Sequence, residues 1–320
     1  MFNALNKARS MPRARRPLKT WQAALLGLAV CTPSLAVAVQ AWAEPAPMQV
    51  AAPFASSRLS VEVVGQGPDV ILIPGYASSR EVWRAEADRL KATHRVHLVQ
   101  LAGFAGEAWT HGEGPVLQPA VDEIVRYITD QGLQAPAVIG HSMGGLTALL
   151  IAQQHPEAIS KAMTVDSLPF FSALFGPQVT VETARPFADQ AAAGMLAAGE
   201  DAFRVSQAQG APGLSRDPET QRLMVEWSLA GDRRAMAIAI SEVMTTDARP
   251  GLAGLRVPVW APYASDANGG APAAMADAMW TREYAGAPNV RLIRVDDSRH
   301  FIMADQPQRF AQIVDQFLAD

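Results

Sequence analysis

Residues 138–145 read Val138-Ile139-Gly140-His141-Ser142-Met143-Gly144-Gly145, a short apolar run that breaks into a serine set between glycines. A flexible Gly-rich connection is one reading. The flanks favour another. Ala137-Val138-Ile139 is a buried-strand pattern, and Leu146 to Gln154 has the composition of a helix. A strand that reverses into a helix within so few residues forces the residue at the apex into a strained backbone. Glycines at Gly140 and Gly144 remove the Cβ atoms that would collide there. The apex serine is then exposed at the carboxyl end of the sheet, where open parallel sheets bind their ligands, at the positive end of a helix.

Working outward, strands and helices alternate. Leu59–Val63 alternates as an edge strand and Asp69–Ile73, "DVILI", is apolar throughout, as expected of a strand covered on both faces. Strands follow at Arg95–Leu101, Lys161–Val165, Val257–Ala261 and Val290–Val295, with helices at about Glu81–Ala92, Pro119–Gln131, Ala273–Tyr284 and Pro307–Leu318. The pattern predicts an α/β fold with a doubly wound, mostly parallel sheet. From Ser167 to Leu255 the rhythm changes to Ala, Met and Phe with helices expected at Val181–Gly194, Pro218–Leu229 and Arg233–Thr245, a helical insertion rather than a sheet layer.

A serine hydroxyl needs a base. Of six histidines, His94 and His97 flank the start of an early strand, His155 ends the helix after the turn, and His141 lies inside the turn, facing away from the hydroxyl. His111 belongs to "HGEG", which follows the wrong strand for an oxyanion loop. His300, in "VDDSRHFIMADQP" after the last strand, is the expected base. The acid that orients it is expected to be Asp266, after the next-to-last strand. Asp166 is the alternative, and Asp296 and Asp297 are rivals close to His300 in sequence. The backbone N–H groups of Met143 and of Tyr76, in the loop after "DVILI", are the candidate oxyanion donors.

Together these residues resemble the α/β-hydrolase superfamily over residues 58–320. "GHSMGG" is similar to its nucleophile elbow, "IPGYASSREVW" to its oxyanion loop with Pro74 in place of a histidine, "QLAGFAGEAW" to its Asp-x-Pro-Gly-Phe-Gly loop, and "SRHFIMADQPQRF" to its histidine segment, with Arg299 where glycine is usual. The resemblance implies a Ser-Asp-His triad, a two-amide oxyanion hole and a mobile cap over residues 167–255. Serine at the elbow argues against haloalkane dehalogenases. The expected activity is ester hydrolysis on a small acyl substrate. Amidase, lactonase or thioesterase chemistry on the same residues, and a non-catalytic binding protein, are the alternatives. Phe170, Phe171, Phe175, Met195 and Trp227 are candidates for an apolar acyl pocket.

Composition adds limits. No H-E-x-x-H, cysteine cluster or phosphate loop is present, so no metal or organic cofactor is expected. Residues 1–43 carry Lys7, Arg9, Arg13, Arg15, Arg16 and Lys19 but no acid, followed by a charge-free apolar stretch from Trp21 to Ala43. This is the layout of an export signal, with cleavage expected after Ala36 or Ala43 and an Ala/Pro-rich linker at 44–57. Retention as a membrane anchor is the rival. Loss of those six basic groups would take the formal charge from −4 to −10 and remove Cys31, the only cysteine. With no basic run left, nucleic acid is not an expected partner.

Overall fold

The computed structural model describes residues 54–320. The expected export segment, and the linker up to residue 53, lie outside the described residues. Seven strands form one sheet: β1 (Leu59–Gly65), β2 (Asp69–Ile73), β3 (Arg95–Leu101), β4 (Ala137–His141), β5 (Lys161–Val165), β6 (Val259–Ser265) and β7 (Val290–Asp296). Their spatial order is β1-β3-β2-β4-β5-β6-β7. β1 pairs antiparallel with β3, and all other pairings are parallel.

The period of two within a strand explains why β2 is apolar throughout. Val70 and Leu72 join one core with Trp83, Leu90, Phe310 and Phe317, while Ile71 and Ile73 join the other with Ile124, Leu146 and Leu149. Helices α1 (Arg84–Leu90) and α10 (Pro307–Ala319) cover the first face; α2 (Leu117–Asp130), α3 (Met143–Gln154) and α8 (Ala273–Glu283) cover the second. The four-residue α9 (Ile302–Asp305) leads into α10.

Between β5 and β6 the chain is entirely helical: α4 (Val181–Ala197), α5 (Glu200–Leu214), α6 (Pro218–Ala230) and α7 (Arg233–Thr245), with single 3-10 turns at either end. Three of these match the sequence expectation and α5 does not. Gly199, Gly210, Pro212 and Gly213 disguise it, and packing holds it: Phe203 and Ala211 are buried, and the Arg233 guanidinium sits 3.5 Å over the Phe203 ring. Among the described residues no helix is long and apolar enough to cross a membrane.

Candidate active site

Ser142 stands between β4 and α3 with φ 55° and ψ −122°, a combination that costs a non-glycine residue roughly 1–3 kcal/mol. The serine itself carries the strain. The glycines beside it serve close approach instead: a Cβ on Gly140 would collide with the Gly144 carbonyl, and one on Gly144 with the carbonyls of Ile73 and Pro74. The apex is held from both sides, since the Ser142 amide donates to the Val165 carbonyl at 2.9 Å and its own carbonyl accepts from Leu146 N–H at 3.0 Å. Met143 opens α3 directly after the serine. Tyr76 follows Gly75 in the loop leaving β2, and that loop lies close by: a Cβ on Gly75 would stand 3.0 Å from the Ser142 Cβ.

His300 comes from the loop between β7 and α9. Its Nδ1 is hydrogen-bonded at 2.7 Å to Oδ2 of Asp166. Oδ1 of the same carboxylate accepts the Ala264 amide at 2.9 Å, so both oxygens are engaged. Asp166 sits just past β5 with φ 44°, and its own amide donates to the Pro262 carbonyl at 2.8 Å. With Nδ1 turned to the carboxylate, Nε2 is the imidazole nitrogen left for the cavity that His300 and Ser142 both line.

The expectation that Asp266 would pair with His300 is corrected. Asp266 is buried after β6, but its Oδ2 accepts from Arg299 Nε at 2.8 Å and its Oδ1 from the Asn268 amide at 2.9 Å. The Asn268 amide, with Arg299 beside it, holds the Asp266 carboxyl below the usual range. Arg299, the residue that replaces a glycine beside the histidine, is thus the reason: its charge claims the nearest buried carboxylate. Asp166, the alternative, takes the place at His300. Asp296 is bound to Arg294, and Asp297 points to Arg216.

His141 supports the site from below. Its Nε2 donates to the His300 carbonyl at 2.9 Å, and its ring lies 4.5 Å from the His300 ring. Burial, reinforced by the neighbouring His300, pushes the His141 imidazole well below its ordinary pKa, so it is neutral. Its Nδ1 is buried and has no hydrogen-bond partner among the described residues.

Two lobes open from Ser142 and His300. One, of about 330 Å³, runs between the Gly75–Ser78 loop and the facing sides of α5 and α6, where Ser206, Gln207 and Ser228 line it. The other, of about 410 Å³, is apolar, with Leu168, Phe171, Ile240, Val243, Met279 and Trp280 in its walls. Leu214, at the end of α5, borders both. Of the five expected pocket residues only Phe171 lines this apolar lobe. Phe170 is buried in a separate cluster beneath Arg249, Phe175 is 69% exposed, Met195 accepts the Tyr76 hydroxyl through its sulfur at 3.4 Å, and Trp227 lines neither lobe. Aromatic type alone did not reveal direction on the helix, which decides burial. Among the described residues no group of three or more His, Cys, Asp or Glu is arranged to hold a metal ion.

Residues 70–313 match the model of the alpha/beta hydrolase family. A pimeloyl-[acyl-carrier protein] methyl ester esterase from Aliivibrio fischeri is 30% identical over 65% of this chain and 79% of its own length. One from Aeromonas hydrophila is 28% identical over 81% of this chain and 99% of its own. Among solved structures, the enol-lactonase from Burkholderia xenovorans superposes with a TM-score of 0.66, at 18% identity, over 82% of this chain and 96% of that one.

Proposed function

This chain belongs to the alpha/beta hydrolase family, and on that premise we propose that it is a serine hydrolase of carboxylic esters working through an acyl-enzyme intermediate. The observation that carries the reading is the Asp166–His300 hydrogen bond at the cavity that Ser142 lines. Ser142 Oγ attacks the ester carbonyl as His300 Nε2 takes its proton. Asp166 holds the ring and stabilises the imidazolium. The developing oxyanion is received by the Met143 and Tyr76 amides. His300 returns its proton to the alcohol oxygen, the acid–alcohol C–O bond breaks, and the alcohol leaves. Water, activated by the same imidazole, then releases the acid. The named activity of the relatives, cleavage of a methyl ester, supports an ester as the bond attacked.

Labelling with a fluorophosphonate, followed by ester, anilide, lactone and thioester panels, tests this. Wild type should be labelled at Ser142 and turn over esters fastest. Ser142→Ala should be unlabelled and slower by on the order of 10⁶ in kcat. Labelling elsewhere, or full activity in that variant, removes Ser142 from the mechanism; faster turnover of another panel replaces the ester assignment. We also propose that the chain is exported, a reading supported by the acid-free basic and apolar layout of residues 1–43. A mature N-terminus at Val37 or Glu44 supports it, and recovery of the chain from the cytoplasm alone with residues 1–43 intact overturns it.

A further inference from the structure

We propose that the smaller lobe recognises the alcohol half of the ester by its hydroxyl groups, so that the preferred substrates join an uncharged apolar acid to a polyol. This rests on the ester-hydrolase reading and adds to it the chemistry of both halves.

The two lobes differ in polar content as well as in size. Walls of Leu168, Phe171, Ile240, Val243, Met279 and Trp280 offer a hydrocarbon chain burial and offer a hydroxyl nothing. The smaller lobe presents Ser206, Gln207 and Ser228 from two adjacent cap helices, set among Leu214, Met224 and Val225. Among the described residues, none of these three side chains has a hydrogen-bond partner within the protein. Ser228 is 7% exposed, Gln207 is half-buried and Ser206 is exposed, so the set is reachable by water and by a bound alcohol. The carboxamide of Gln207 brings two donors and an acceptor, and each serine a donor and an acceptor oxygen. An alcohol bearing several hydroxyls replaces the hydrogen bonds of the water it displaces from such a set, while an alkyl alcohol displaces that water and returns none.

Charge narrows the class further. Among the described residues, no Asp, Glu, Lys or Arg lines the smaller lobe. In the apolar lobe the only such residues among those described are Asp166 and Arg299, and each is already paired, with His300 and with Asp266. A carboxylate, phosphate or ammonium on either half of the substrate would therefore enter without a free counter-charge. Neutral hydroxyls are what remains for the polar side chains of the smaller lobe to read.

The test uses three esters of one chain length: the glycerol monoester of hexanoic acid, butyl hexanoate, and butyl 6-hydroxyhexanoate. Wild type should cleave the glycerol ester about tenfold faster in kcat/KM than butyl hexanoate, the worth of one to two hydrogen bonds. In the double variant Gln207→Leu/Ser228→Ala that ratio should fall to about one. Because both esters depend on the same Ser142 chemistry, damage to the triad cancels in the ratio. Equal or faster cleavage of butyl hexanoate by wild type, or a ratio that the double variant leaves unchanged, overturns the proposal. A preference for butyl 6-hydroxyhexanoate over butyl hexanoate as large as that for the glycerol ester overturns the assignment of the lobes. Failure to cleave any of the three, with p-nitrophenyl hexanoate also intact, is failure of the ester reading itself.

Discussion

At the scale of single residues, two carboxylates of the same type have been assigned opposite tasks by their neighbours. Asp166 has an imidazole and a backbone amide as partners; Asp266 has a guanidinium. Asp166→Asn should keep the fold and lower kcat on esters by on the order of 10⁴, since the amide no longer holds the required tautomer. Asp266→Asn should lower kcat far less and reduce stability by about 3 kcal/mol, because Arg299 then lacks its buried partner. Steady-state kinetics and urea unfolding on the pair would check both, and the reverse pattern would return Asp266 to the triad. Ser142 offers a second measurement. At φ 55° and ψ −122°, Ser142→Gly should be more stable than Ser142→Ala by roughly 1–3 kcal/mol, as the Cβ is the source of strain. Equal unfolding midpoints would show the elbow to be relaxed.

Among the elements, the join between the histidine loop and α5 is the one with functional reach. Asp305, at the end of α9, accepts from Ser215 Oγ, from the Arg216 amide and from the Arg299 amide. The Leu214 carbonyl accepts the Phe301 amide at 3.0 Å, and Arg299 reaches the Pro212 carbonyl. The end of α5 is thus tied to residues on both sides of His300. Asp305→Ala should increase amide hydrogen exchange at residues 212–217 and lower kcat while α10 remains folded; unchanged exchange there would mean the join is held by the other contacts alone. This element also shows what a sequence conceals. The strained turn at Ser142 was legible because it has a steric requirement that only small neighbours meet, and the placement of His300 at the same cavity because elimination left no rival at that end of the sheet. The acid was not. Asp166 and Asp266 both follow strand ends and both fall between Ser142 and His300 in chain order, so order cannot separate them. The informative signal was Arg299, a cation beside the histidine that had to find an anion. Likewise α5 was hidden by its glycines and proline, because tertiary packing rather than propensity sustains it.

For the molecule as a whole, buried histidines set its acid response. Burial lowers the pKa of His97, which sits among Asp69 and Tyr127, and lowers that of His141 further. In the unfolded chain both take up protons near pH 6.5, while the folded protein resists doing so. Proton binding therefore favours unfolding as the pH falls below about 6.5, and stability should be level above neutrality and decline steadily beneath it. Asp69, held below its usual range with Arg95 and His97 as partners, adds a further loss below about pH 4, where the unfolded carboxyl protonates. Urea midpoints from pH 8 to 5 should show the first decline, with a shallower slope in His97→Asn; a flat profile would mean that these imidazoles titrate alike in both states.

On the proposed mechanism β4 and β5 supply the nucleophile and its supporting acid within one short span of chain, and β6 only steadies that acid through its Ala264 amide and Pro262 carbonyl. The turn that follows it, residues 267–271, nevertheless contributes Gly270 and Ala271 to the wall of the apolar lobe. If the apolar lobe takes the acid as proposed, selection, or a designer, can rewrite that turn to admit longer or bulkier acids while the reacting atoms stay where they are.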